Sequence, residues 1–211
     1  MAVIVAANEK GGAGKTSMVA ALGVALAGEG ASVVLVDADP HRNLASIQER
    51  GLPLPIFAEA DPQAAVNKIK ELESKYDFVL VDTAGFTSRT TIYALARADL
   101  VIIPIVPALT DMLRAADTVA RIREVESTVD REIPFILVLN NVHPLAAVND
   151  AVRENLTDYP VAKTMIPHST KFREFGFTGT LNLSSGPMQK VSFLVDELVE
   201  LGLIQRKGAA A

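Results

Sequence analysis

The chain has 211 residues, 49% hydrophobic, 21% charged and 5% aromatic, which suffices for one globular domain with a sizeable core and excludes a disordered chain. A formal net charge of −5 excludes a wholly cationic surface for nucleic acid or anionic lipid, so any such contact has to be a local patch. Cysteine is absent, which removes disulfides, thiolate zinc sites, iron–sulfur ligation and cysteine nucleophiles together and points to a cytoplasmic chain.

In chain order, Ala2–Ala7 is apolar, short and without a basic leader, so it reads as a first strand and not as a signal peptide. A helix is expected over Thr16–Glu29, with Gly28 and Gly30 as its stop, then a strand over Ser32–Asp37. Helix Pro62–Ser74, strand Phe78–Asp82, helix Ser88–Arg97, strand Leu100–Val106, helix Asp111–Thr128 and strand Pro134–Asn140 follow. Val191, Leu194, Val195, Leu198 and Leu201 recur at helical spacing in a closing helix, Gln189–Ile204. The strands are continuous apolar runs without alternation, as strands covered on both faces are, so a parallel sheet is expected. The fold class is α/β, a doubly wound, mostly parallel sheet flanked by helices, with one domain over 1–204 and a disordered tail over 205–211. The run Leu100–Leu109 is about ten residues and holds Pro104 and Pro107, whereas a membrane span needs roughly 18 or more.

In open α/β sheets ligands sit beyond the carboxyl ends of the strands, and three polar loops fall there: Asn8–Thr16, Asp37-Ala38-Asp39 and Asp82-Thr83-Ala84-Gly85. The stretch KGGAGKT, Lys10–Thr16, lies between a strand and a helix, the context of a phosphate loop. Gly11, Gly12 and Gly14, with Ala13, let backbone N–H groups surround phosphate oxygens. Lys15 would reach the β- and γ-phosphates, Thr16 would offer its hydroxyl to Mg²⁺, and Ser17 continues the helix N-terminus toward the nucleotide. Glu9 stands where the general phosphate-loop pattern has its first glycine, and Lys10 opens the loop instead. With Lys15 already serving the loop's own phosphates, Lys10 is placed to serve a nucleotide held by another subunit.

On these residues the chain resembles the ParA/MinD family of deviant Walker A ATPases, from Val3 to about Leu201, and most closely the short ParA-type plasmid partition ATPases. The resemblance implies a P-loop NTPase fold, ATP and Mg²⁺ as cofactors, and a homodimer that sandwiches ATP, with Lys10 crossing to the partner's phosphates. VVLVDADP, Val33–Pro40, is similar to the family's second motif, which makes Asp39 the residue that positions the attacking water and puts Asp37 near the Mg²⁺ shell. YDFVLVDTAG, Tyr76–Gly85, is similar to the Walker B region, with Asp82 holding Mg²⁺. ADLVIIP, Ala98–Pro104, with Pro107 and Asp111 after it, resembles the family's next strand and loop. His41 replaces the usual glutamine after Asp-Pro, and Ala84-Gly85 replaces the commoner Pro-Pro. Asn140 and Asn141 end the fifth expected strand, where such proteins contact the base; an Asn before a His-Pro turn is equally a loop residue. An aspartate ending a buried strand is, taken alone, also a cap or turn former.

The resemblance further implies slow intrinsic hydrolysis, an ATP dimer that binds DNA nonspecifically and associates with the nucleoid, and a ParB-like or other cargo adaptor that stimulates release. The strongest cation cluster for DNA is Lys163, Lys171 and Arg173, with His168 nearby and Arg206 and Lys207 as additions; an ordinary solvated helix face would look the same. If Lys171 and Arg173 each meet one phosphate in both subunits, log K falls with log salt at a slope of roughly −3.6. A MinD-like membrane-positioning ATPase is a rival, but Lys190–Lys207 carries as many anions as cations, so no membrane partner is expected. A metabolic ligase on the same fold, a nucleotide-timed polymer, and an ATPase that positions a protein assembly or conjugative transfer DNA are further rivals.

Overall fold

The computed structural model describes residues 1–85, 88–143 and 148–206, the side chains of 109, 148 and 150 excepted; residues 207–211, with Lys207 and most of the expected tail, lie outside the described residues. The elements in order are β1 (Ala2–Ala6), α1 (Lys15–Gly28), β2 (Val33–Asp37), α2 (Asn43–Gln48), β3 (Ile56–Ala58), α3 (Pro62–Glu73), β4 (Phe78–Asp82) and α4 (Arg89–Leu95). They continue with β5 (Leu100–Ile105), α5 (Leu109–Val129), β6 (Phe135–Leu139), α6 (Val148–Glu154), α7 (Thr170–Thr178) and α8 (Gly186–Glu200). The strands form one six-stranded sheet in the order β3-β2-β4-β1-β5-β6, every pairing parallel.

Because strand side chains alternate between faces, each strand feeds two cores. Ile4, Leu35, Leu80, Ile102 and Val138 point to the layer closed by α1, α7 and α8. Val5, Val36, Val81, Ile103 and Leu137 point to the layer closed by α3, α4 and α5. Helix α1 is apolar nearly all round and buried from Met18 to Leu26, since it lies between sheet and α8. It comes close enough that a side chain at Gly23 would meet Leu35 and Leu54 at 2.9 and 3.0 Å.

The closing helix begins earlier and ends sooner than its apolar spacing suggests. Ser185 and Pro187 start it, and Gly202, at φ 70°, turns the chain back so that Leu203 and Ile204 bond to the Leu198 carbonyl. Edge strand β3 and helices α2, α6 and α7 add to the elements expected from sequence. Leu80 lies in the central strand β4 and is fully buried, whereas Leu113 on α5 is 64% exposed. Leu80→Ala should cost about 2–5 kcal/mol of unfolding free energy and Leu113→Ala under about 0.5 kcal/mol, measured by urea denaturation.

Candidate nucleotide site

The sheet order makes the site. From β1 the chain crosses to β2 on one side, and from β4 it crosses to β5 on the other, although β1 and β4 are neighbours. Their carboxyl ends therefore face a crevice with no crossover above it. The register sets Ala6 beside Asp82 and Asp82 beside Asp37, so the phosphate loop and both strand-end acids meet in one row.

The phosphate loop is braced from within and from across the sheet. Asn8 is buried; its Nδ2 donates to the Pro104 carbonyl at 2.7 Å, and its Oδ1 accepts from Lys10 N at 2.8 Å. Asn140, beyond the end of β6, donates to the Ala13 carbonyl at 2.8 Å. Gly14 sits at φ 93° immediately before α1, which strains any other residue, and a Cβ there would push the Asn140 amide away from the Ala13 carbonyl. Lys15 is 8% exposed, with Nζ donating to the Asn8 and Lys10 carbonyls at 3.1 and 3.2 Å. Burial pulls its pKa below the usual lysine value, against the opposing pull of Asp82 and Asp39. The ammonium thus folds over the loop, the place from which it can meet a phosphate.

Asp82 is buried; Thr16 Oγ1 donates to its Oδ2 at 2.6 Å, while Oδ1 has no hydrogen-bond partner. Burial first, then repulsion from Asp37 and Asp39, pushes its carboxyl up to about 7, with the Thr16 hydroxyl and Lys15 pulling the other way. An orphaned, buried carboxylate oxygen beside a hydroxyl is a hard oxygen donor set, which fits Mg²⁺. Among the described residues no group of three or more His, Cys, Asp or Glu could hold a metal ion, so phosphate and water would have to supply most of the ligands.

Asp37 is equally buried, but both oxygens are engaged, accepting from Asp39 N at 3.2 Å and Ala45 N at 2.8 Å. It pins the turn that carries Asp39 and the first turn of α2. Asp39 accepts from His41 N at 2.9 Å and borders a cleft of about 590 Å³ shared with Gly12, Lys15, Thr16, His41 and Ala84. A second cavity of about 260 Å³ adjoins it, walled by Gly14, Ser17, Asn140, Pro167, His168 and Arg173. Gly11, Gly12, Gly14 and Ser17 border the first cleft, and Gly12, Gly14 and Ser17 border both.

Lys10 leaves this pocket. Its Nζ lies 2.7 and 2.9 Å from the two carboxylate oxygens of Asp111, a 1% exposed residue in the first turn of α5, while the Lys10 side chain is 38% exposed. Neither Asn8 nor the Lys10–Asp111 pair is read from the sequence, although Asn8 stands at the end of β1 and Asp111 starts a helix. The expected cation cluster is divided. Lys171 pairs with Glu174 at 3.1 Å on the exposed side of α7, Arg173 borders the smaller cavity, and Arg206 is held by Glu29 and Asp196.

The raised Asp82 pKa has a stability consequence. The folded carboxyl holds its proton more tightly than the unfolded one, about 7 against 3.8, so stability without cation is fully present below about pH 4 and falls as pH rises toward 7. The loss is up to about 1.4 kcal/mol per pH unit. Asp82→Asn has no proton to lose. The stability of the wild type relative to this variant, from urea unfolding in EDTA, should fall between pH 4 and 7 and level off above 8; a difference constant across that range would overturn the assignment.

Residues 4–182 match the family model described as the CobQ/CobB/MinD/ParA nucleotide binding domain. A protein ParA of Rhizobium radiobacter is 37% identical over 147 residues, 68% of this chain and 66% of that protein. The septum site-determining protein MinD of Pyrococcus horikoshii OT3, solved with Mg-ADP, superposes with a TM-score of 0.73 at 22% identity, over 95% of this chain and 98% of that one. A plasmid partition protein of Borrelia burgdorferi B31, solved with AMPPNP, gives 0.75 at 15% identity, over 95% and 99%. The six-stranded parallel sheet, its flanking helices and the glycine-rich loop are those of a P-loop NTPase, and the chain belongs to the CobQ/CobB/MinD/ParA nucleotide-binding domain family.

Proposed function

We propose that this chain is an ATP hydrolase that times DNA partition. Its MgATP form is a sandwich dimer that binds DNA nonspecifically and is released when a ParB-like adaptor stimulates hydrolysis. The observation that carries the reading is the division of labour between two lysines. Lys15 is folded into the loop, and Lys10 is held outside it by Asp111, half-exposed and free of the loop's own phosphate cleft. A partner subunit's nucleotide is the anion that such an outward lysine suits.

Bound MgATP supplies the γ-phosphoryl group to be transferred and the cation that neutralises its oxygens. Thr16 and Asp82 would hold that cation, and the loop with Lys15 would fix the phosphate chain and stabilise its charge. Asp39, which borders the same cleft as the loop, orients water for attack, and Asp37 holds Asp39 in place through its backbone. Lys10 of the partner subunit adds the last positive charge. Until the dimer forms, that charge is absent from the cleft, which supports slow unstimulated turnover.

Plasmid DNA as cargo draws support from the ParA relative and from the likeness to a plasmid partition protein. Among the described residues no helix is long and apolar enough to cross a membrane, and α8 carries Asp196, Glu197 and Glu200 against Lys190, a poor match to anionic lipid. Asp39→Ala should bind MgATP and accumulate as a dimer, and Lys10→Ala should bind MgATP and stay monomeric, both by light scattering. Equal monomer fractions with and without ATP for Asp39→Ala would sink the dimer reading. ATP-dependent pelleting with anionic vesicles in place of DNA would replace the DNA reading with the membrane one.

A further inference from the structure

We propose that Arg173 is a nucleotide-base contact, closing the smaller cavity over the purine, and not a DNA contact. Helix α7 carries Ser169 as its cap, and Ser169, Phe172 and Arg173 follow helical i, i+3, i+4 spacing on one face. All three border the 260 Å³ cavity whose far wall is Gly14 and Ser17 of the phosphate loop and α1. Lys171, two residues before Arg173 and so about 200° away around the helix, faces elsewhere and is paired with Glu174. Arg173 is exposed and, among the described residues, its guanidinium has neither an ion pair nor a hydrogen bond.

The mounting is rigid. Phe175 is buried in the core beneath α7, the Arg50 guanidinium bonds the Gly176 carbonyl, and Gly179 ends the helix in the left-handed conformation, tight against the Arg50 backbone. The adjoining wall is fixed as well. The His168 ring stacks on His143 with centroids 4.7 Å apart and meets Asn141 Oδ1 at 2.6 Å. Met18, Ala21, Ile166 and Val191 give the lining its apolar part, and Asn140 and Asn141 are polar groups beside it. A planar, weakly hydrated guanidinium at the edge of a slot with an apolar floor and amide groups on its wall, opening onto a phosphate loop, suits the face of a purine, by cation–π contact and stacking.

This inference rests on the reading of the phosphate loop as an ATP site, and two ligands separate the two claims. Isothermal titration of the full chain in Mg²⁺, with ATP and with inorganic tripolyphosphate, reads base and phosphate contacts apart. Arg173→Ala should weaken ATP about tenfold and leave tripolyphosphate within twofold of wild type, and Arg173→Lys should recover less than half of the loss because the planar fork is gone. ATP affinity unchanged in Arg173→Ala would overturn the proposal, as would an equal loss for tripolyphosphate. Wild type that binds neither ligand would instead overturn the ATP site itself. In salt titrations of nonspecific DNA with the ATP-bound form, Arg173→Ala should leave the slope unchanged. Lys171→Ala should flatten it by about 1.8, two contacts per dimer at roughly 0.9 each. A slope flattened by Arg173→Ala would return that residue to DNA.

Discussion

The parallel register of β2, β4 and β1 is the constraint from which the site follows. Hydrogen bonding fixes Asp37, Asp82 and Ala6 side by side, and burial on both faces of the sheet leaves nowhere but the strand ends for charge. Two carboxylates are thereby set next to each other in a poorly solvated row, with a third, Asp39, close enough to raise Asp82 further. Each is tolerated for a different reason. Asp37 spends both oxygens on backbone amides, whereas Asp82 shares one with Thr16 and leaves the other bare. The bare oxygen is the one place in the row where a cation would relieve strain instead of breaking a bond, so ion binding and local stability are coupled.

Much of this was legible in the sequence because two-sided burial writes continuous apolar runs, and each of the five runs read as strands is one. Strand β3 escaped for the opposite reason. It is three residues long, half-buried, on the sheet edge and preceded by Pro53 and Pro55. Helix α2 is six residues entered through Arg42 in the left-handed conformation, a start that no capping residue announces. Helix α7 has one fully buried residue, Phe175, too little for an apolar stripe. The closing helix stopped short of Ile204 because Gly202 supplies a turn that apolar spacing does not encode.

The loop residues KGGAGKT and the aspartates could be read because their chemistry is local to a few positions. What could not be read was long-range. The bond from Asn140 to Ala13 spans 127 positions, and the pair of Lys10 with Asp111 spans 101. Lys171 and Arg173 look like one cationic pair in a string of letters, yet helical rotation sends one to solvent and the other to a cavity wall.

The Lys10–Asp111 pair also sets how the molecule would respond to crowding. Asp111 is 1% exposed, so withdrawing Lys10 leaves a buried carboxylate without its cation, a cost that nucleotide in the same chain does nothing to offset. The nucleotide of a neighbouring copy would offer Lys10 a replacement anion. Under the proposed dimer both chains give up this pair at once, which weakens the assembly and raises the copy number at which it forms, even in a population saturated with ATP. A pair of oppositely charged side chains within one chain would thus set the density threshold of the proposed assembly.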